Sequence, residues 1–183
     1  MPLSDNKYAK VFSEKLPIIT AQVPNWKQLN PLLEEGIRAV GDKQNHNSNV
    51  KADMTDWKMW EPHQPAHEEF EKICRFAMKL ATENAPETAR PFFVPVVTEC
   101  WGAIYRPGEF TRLHDHWPAI WSFTYYVNIS ESCSPIVFPD AKIAIKPKNG
   151  QMCMFPGWVS HRVPKQTSDQ ERIMVAGNIT QKN

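Results

Sequence analysis

His114, Asp115 and His116 stand in a row in the segment RLHDHWPAIWSFTYYVN (residues 112–128), and each carries a group that can hold a metal. Side chains at i and i+2 of an extended segment point the same way, so His114 and His116 share a side. His161, in PGWVSHRV, is the remaining histidine of the C-terminal half and belongs to a later strand. Two histidines from one strand end and a third from another strand can take one face of an octahedral ion and leave the other face open. That arrangement suits a non-haem iron that must bind both a substrate and oxygen. A lone histidine is more often a surface or packing residue; a His-x-His pair with a distant third shifts the balance towards a metal.

Arg172 opens the segment RIMVAGNIT. If that strand alternates, Arg172, Met174, Ala176 and Asn178 share a face, and Ile173, Val175 and Gly177 share the other. A guanidinium on an inward face is a buried charge that needs an anion, and a carboxylate gripped by two N–H groups is the natural one. The competing reading puts Arg172 on the rim, paired to Asp169 or Glu171. In WSFTYYVN, Ser122, Thr124 and Tyr126 form a hydroxyl-bearing face, while Trp121, Phe123 and Tyr125 form an apolar one. Inward hydroxyls also need partners, and one dicarboxylate held between Arg172 and Tyr126 satisfies both sets.

These side chains must be positioned by a frame of strands. From Pro91 onward, short apolar runs are separated by proline and glycine: roughly 93–105, 119–128, 135–138, 142–146, 151–155, 158–163 and 171–180. Such spacing without a helical period implies an all-β sandwich or barrel. Residues 1–90 carry the helices. NPLLEEGIRAVG offers Asn30 as N-cap, Pro31 at the first helical position and Gly41 as terminator. HEEFEKICRFAMKLATENA (67–85) has acids in its first turn and one apolar face. LPIITAQV (16–23) reads as a strand, and a short strand is expected near Val50–Met54. The expected organisation is one domain over 1–183, with 1–90 as helical support and 91–183 as the β core.

The chain has 183 residues, a net charge of +1, four scattered cysteines without a CxxC pair, and sixteen prolines against seven glycines. The near-neutral charge gives no reason to expect nucleic acid or an anionic membrane as partner. No run approaches the roughly 20 apolar residues of a membrane-spanning helix, and residues 1–20 lack the order of a signal peptide. Reduced thiols and a cytoplasmic location are the expectation. The sequons at Asn128 and Asn178 read as chance.

The order of these segments resembles the iron(II)/2-oxoglutarate-dependent dioxygenases, and within them the prolyl-hydroxylase-like branch with its small bacterial and phage oxygenases. The segments are IYRPGEFTRLHDH (104–116), TYYVN (124–128), GQMCMFPGWVSHRV (150–163) and RIMVAGN (172–178). The resemblance implies a mainly β fold with N-terminal helices, its core a double-stranded β-helix (jelly-roll, cupin-like). It implies Fe(II) as cofactor, 2-oxoglutarate as cosubstrate, and hydroxylation of a C–H bond with release of succinate and CO2. His114 and His161 match the family's first and distal metal ligands, and Arg172 matches the base that pairs with the far carboxylate of 2-oxoglutarate. Tyr126 and Tyr105 fall where tyrosines face that cosubstrate, and Ser122 at a hydroxyl position beside it.

One departure stands out: the family's second ligand is an acid in His-x-Asp, and that position here is His116. Either His116 binds, giving three histidines, or Asp115 swings in through a local bulge. Trp117 and Asn178 are candidates for the substrate pocket. For Trp117, as for Trp121, Trp158, Phe155 and Met154, core packing is the expected chief role. The loop 42–66, with Trp57, Met59 and Trp60, either roofs the pocket or packs beneath the helices. The substrate is expected to be a small molecule or a peptidyl group, a prolyl or other amino-acid C–H, and a homodimer is an open alternative. Two other classes stay open: a cupin-like three-histidine metalloenzyme that uses no oxoacid, and a non-catalytic jelly-roll binding module.

Overall fold

A computed structural model of the chain describes residues 16–41 and 48–182; the readings of residues 1–15 and of 42–47 fall outside the described residues. The N-terminal half supplies Ile19–Gln22 (β1), Trp26–Val40 (α1), Val50–Lys51 (β2), Asp53–Met54 (β3) and His67–Glu83 (α2). A 3-10 turn at Arg90–Phe92 leads into eight strands. These are Pro95–Tyr105 (β4), Phe110–His114 (β5), Trp121–Asn128 (β6), Ile136–Phe138 (β7), Ile143–Ile145 (β8), Gln151–Pro156 (β9), His161–Val163 (β10) and Arg172–Gln181 (β11).

The strands form a six-stranded sheet in the order β1-β9-β6-β11-β4-β3 and a five-stranded sheet in the order β2-β5-β10-β7-β8. The chain passes back and forth between them, with β4, β6, β9 and β11 in the larger sheet and β5, β7, β8 and β10 in the smaller. Neighbouring strands are antiparallel. This is the double-stranded β-helix expected from the sequence. The N-terminal half contributes β1 and β3 at the edges of one sheet and β2 at the edge of the other, in addition to its two helices.

Strict alternation along the larger sheet creates two cores. Its outer face, with Phe123, Tyr125, Met152, Ile173 and Val175, packs under Leu33, Ile37, Phe70 and Ile73 of the helices. Its inner face, with Trp101, Tyr105, Tyr126, Phe155 and Met174, closes against Ile136 and Phe138 of the smaller sheet. At Gly102 the first helix comes so close that a Cβ would lie 2.4 Å from the Ile37 side chain. Met59 and Trp60 of the 42–66 loop join the helix-side core.

The first helix begins four residues before the expected cap. Asn25, with φ 57°, precedes it without a side-chain cap, and Pro31 lies inside the helix, while Gly41 ends it at φ 70° as expected. Asn30 is unavailable for capping because the sheet claims it. Its Nδ2 donates to the Val127 carbonyl, and Oδ1 accepts from the Tyr125 hydroxyl. β5 is not among the strands expected from sequence, because its five residues, FTRLH, mix polar and apolar types without alternation.

Asn30 joins α1 to the centre of the larger sheet through buried hydrogen bonds, and burial raises the Tyr125 hydroxyl above its ordinary range. Asn30→Ala should lower unfolding free energy by about 2–4 kcal/mol, because it orphans two buried polar groups. Tyr125→Phe should cost about 1 kcal/mol alone. Added to Asn30→Ala it should cost less than that, since its partner is already gone. Urea denaturation of the three variants checks both the size and the non-additivity.

Candidate metal centre

Pairing of β5 with β10 sets His161 directly opposite His114, with a register shift just beyond, between His161 and Val163. His116 lies two residues past the end of β5. Its backbone N–H donates to the Gly157 carbonyl at 2.6 Å. A Cβ at Gly157 would meet the Ala119 carbonyl oxygen at 2.1 Å, so only glycine lets the 116–119 turn lie this close to the end of β9. The three histidines therefore converge from two strands and one turn. Each offers a ring nitrogen, and these atoms lie within 4.8 Å of one another.

The tautomers follow from the hydrogen bonds. His114 Nδ1 lies 2.8 Å from the Arg112 carbonyl and His161 Nδ1 lies 3.1 Å from the Val159 carbonyl. A carbonyl only accepts, so each Nδ1 carries the proton and each Nε2 keeps its lone pair. Burial pushes both His116 and His161 down to about 3 from an ordinary 6.5, and the neighbouring histidines add to the effect. Burial lowers His114 as well. Three neutral imidazoles with free lone pairs suit a divalent transition metal. Asp115 is exposed and its Oδ1 accepts the Trp117 N–H at 3.0 Å; its carboxylate is outside the convergent set.

On the inner side of the histidines is a cavity whose lining includes Tyr105, Thr111, Thr124, Met174, Ala176 and Arg172. Arg172 is 0 % exposed. One amino group donates to the Ser134 carbonyl at 2.5 Å, and the plane sits between Tyr105 and Tyr126, 5.5 and 5.3 Å from their ring centres. Among the described residues, Nε and the other amino group have no hydrogen-bond partner, and neither does the Tyr126 hydroxyl. The Ser134 loop is held in turn by Gln166, whose Oε1 accepts the Ser134 N–H at 2.9 Å. Two unsatisfied N–H groups and a hydroxyl, buried on the inner face, call for an anion with at least two oxygens. Glu171, the rim partner considered from the sequence, instead pairs with Arg38 and Arg106.

On the outer side a second cleft is lined by Trp57, Glu99, Trp101, His114, Asp115, His116 and Asn178, among others. Trp57 thus borders the site, while Met59 and Trp60 pack under the helices. Ser122 sits away from the inner cavity: its hydroxyl donates to Asn178 Oδ1 at 2.8 Å, and Thr124 is the hydroxyl that lines the cavity. The register explains this, since Ser122 pairs with Asn178 and Thr124 with Ala176, two steps nearer Arg172. Trp117 is 74 % exposed and lines neither cavity. Trp158 is exposed as well, whereas Trp121, Phe155 and Met154 are buried as expected. Sequence reasoning missed Glu99 and Thr111. The signal for Glu99 was its phase, shared with Trp101 and Tyr105 on the inward face of β4.

Residues 139–178, which carry His161 and Arg172, match the model of a family described as putative 2OG-Fe(II) oxygenase. No curated protein matches the chain. Among solved structures it is similar to the viral collagen prolyl hydroxylase of Paramecium bursaria Chlorella virus-1, solved as a 2OG complex. The identity is 17 %, the TM-score 0.66, and the match covers 91 % of this chain and 96 % of that one. A Pseudomonas putida prolyl-4-hydroxylase aligns at 18 % identity and TM-score 0.66, covering 92 % and 94 % of the two chains. A Trichoplax adhaerens prolyl hydroxylase, solved with a hypoxia inducible factor peptide fragment, aligns at 15 % identity and TM-score 0.62, covering 90 % and 83 %. The resemblance read from the sequence is therefore met in the family model over those C-terminal residues and in the fold over nine-tenths of the chain.

Because the folded values of His116 and His161 lie below 6.5, the unfolded chain binds more protons between about 3 and 6.5. Their neutral burial is fully tolerated above pH 6.5, and stability is lost as pH falls towards 3. Thermal melts of the metal-free protein should fall across this window, and His161→Asn should flatten the fall. Parallel curves for parent and variant would contradict the assignment of this acid sensitivity to the histidines.

Proposed function

We propose that the protein is an Fe(II)- and 2-oxoglutarate-dependent oxygenase whose metal is held by His114, His116 and His161. The observation that carries the reading is the pairing of a three-histidine centre with a buried guanidinium that has unpartnered N–H groups and lines the same cavity. One dicarboxylate satisfies both: its far carboxylate at Arg172 and its other end beside the histidines. Bound iron supplies the oxidising chemistry, by which 2-oxoglutarate, oxygen and a substrate C–H become succinate, CO2 and the hydroxylated product.

The chain's own residues do the rest. The carbonyls of Arg112 and Val159 hold His114 and His161 in the tautomers that leave Nε2 free. Gly157 anchors the turn that carries His116. Arg172, fixed by Ser134 and flanked by two tyrosine rings, offers its remaining N–H groups as a fork, with Tyr126 supplying a hydroxyl. Tyr105 is held by a 2.7 Å hydrogen bond to Thr111, which leaves it a wall and a cation–π partner. Phe155, Met174 and Ala176 keep the cavity apolar between its two polar ends. The substrate enters on the opposite side, through the outer cleft. It is a small molecule or a peptidyl group; the protein is soluble and cytoplasmic in this reading, and no helix among the described residues is long and apolar enough to cross a membrane.

His116, and not Asp115, serves as second ligand. Asp115→Asn should therefore keep one equivalent of iron(II), while His116→Ala and His161→Ala should lose it, measured by metal analysis after anaerobic gel filtration. Iron retained by His116→Ala and lost by Asp115→Asn would assign the acid instead. In turnover, iron-dependent conversion of 2-oxoglutarate to succinate should need roughly 100-fold more 2-oxoglutarate in Arg172→Lys, since a lone ammonium replaces the fork. An unchanged requirement would sink the anchor role of Arg172.

A further inference from the structure

Iron and 2-oxoglutarate leave the outer cleft unexplained. Glu99 and Asn178 line it from one cross-strand row of the larger sheet, which Ser122 completes beneath. The Ser122 hydroxyl donates to Asn178 Oδ1 at 2.8 Å, which turns the amide NH2 towards Glu99, whose Oε2 accepts at 2.6 Å. Ser122 is 1 % and Asn178 6 % exposed. An amide held at both ends has one orientation, so this buried relay has a single output: a carboxylate fixed at the cleft. The partner of that carboxylate is a neutral amide. Among the described residues no lysine or arginine lines the cleft, and Asp115 adds a second acid to it. Keeping a part-buried carboxylate without a cation is costly, and an apolar row would close this sheet more cheaply.

The neighbours of Glu99 have the matching chemistry. Trp101, two residues on along the same face, packs edge-on to Trp57 at 4.7 Å and lies 6.3 Å from the His116 ring. A carboxylate beside indole rings is a receptor for an organic cation. We propose that the outer cleft selects a substrate bearing an alkylammonium group, seated against Glu99 beside Trp57 and Trp101, with a nearby aliphatic C–H turned towards the histidines. Glu99 is the specificity-determining residue, and Asn178 and Ser122 are positioning residues. The C–H part rests on the oxygenase reading; the ammonium part does not. A free basic amino acid and a lysyl peptide share this chemistry.

Binding to the full chain, metal-free and again loaded anaerobically with iron(II), tests it by tryptophan fluorescence and calorimetry. The probes are L-lysine, the capped tripeptide Ac-Ala-Lys-Ala-NH2, and the same two with norleucine, which keeps the four side-chain carbons and carries a hydrogen in place of the ε-ammonium. At least one lysine probe should saturate, with its norleucine counterpart weaker by about tenfold or more. Glu99→Gln should erase that difference; its amide oxygen still accepts from Asn178, so the fold is kept. Ser122→Ala, which frees the amide to flip, should reduce the difference while iron stoichiometry stays unchanged. Whichever of free lysine and tripeptide binds more tightly identifies the source. Lack of saturation by both lysine probes overturns the proposal, as does equal binding of norleucine, or a Glu99→Gln variant that weakens iron and not lysine. Loss of iron or 2-oxoglutarate binding with lysine selectivity intact would overturn the oxygenase reading alone.

Discussion

A guanidinium with no access to water and two unsatisfied N–H groups is the constraint around which the site is arranged. Arg172 donates to a carbonyl, lies over two tyrosine rings and lines the cavity with its remaining donors unpartnered. Such a charge is tolerable only if something completes it. The cavity it faces is closed at the other end by three imidazoles kept neutral by burial. The two ends make complementary demands, an anion for one and a cation for the other, and a chelated dicarboxylate answers both. Three neutral ligands leave the metal one positive charge richer than two histidines and an acid would. This makes an anionic second ligand the more favourable.

The larger sheet orders this chemistry in rows. Across β4, β11 and β6, the inward residues run Glu99–Asn178–Ser122, then Trp101–Ala176–Thr124, then Ala103–Met174–Tyr126, and finally Tyr105–Arg172. Polar groups occupy the first and last rows, and the middle rows are mostly apolar or small. The histidines arrive from β5, β10 and the turn after β5, opposite the second row, where Ala176 and Thr124 line the cavity they share. A two-sheet frame with period-two alternation thus separates an anchor, a metal face and an outer cleft along strands that are each continuous.

Much of this was legible in sequence because alternation along a strand is a strong rule. The parity of Arg172, Met174, Ala176 and Asn178, and of Ser122, Thr124 and Tyr126, predicted which face turns inward. The His-x-His pair with His161 predicted the convergence. What the sequence could not supply was depth along the sheet, which is set by pairing between strands far apart in the chain. Ser122 has the right parity but sits two steps from the anchor, beside Asn178, so its hydroxyl serves the outer row. Asn30 had every mark of a helix cap, yet a carbonyl and a hydroxyl on β6 claim it, and the helix starts earlier at Trp26. Glu99 was passed over because a single acid in an apolar strand looks like an edge residue until its row partners are known.

The most direct test of the account is anaerobic titration of the iron(II)-loaded protein with 2-oxoglutarate, following the weak visible charge-transfer band of the chelate in the parent and in Arg172→Ala. The account predicts a band that saturates at one equivalent in the parent and is much weakened in the variant, because the histidines and Arg172 grip two ends of one molecule. Stoichiometric iron with no band in the parent would contradict it and leave a three-histidine metal centre that does not use the oxoacid.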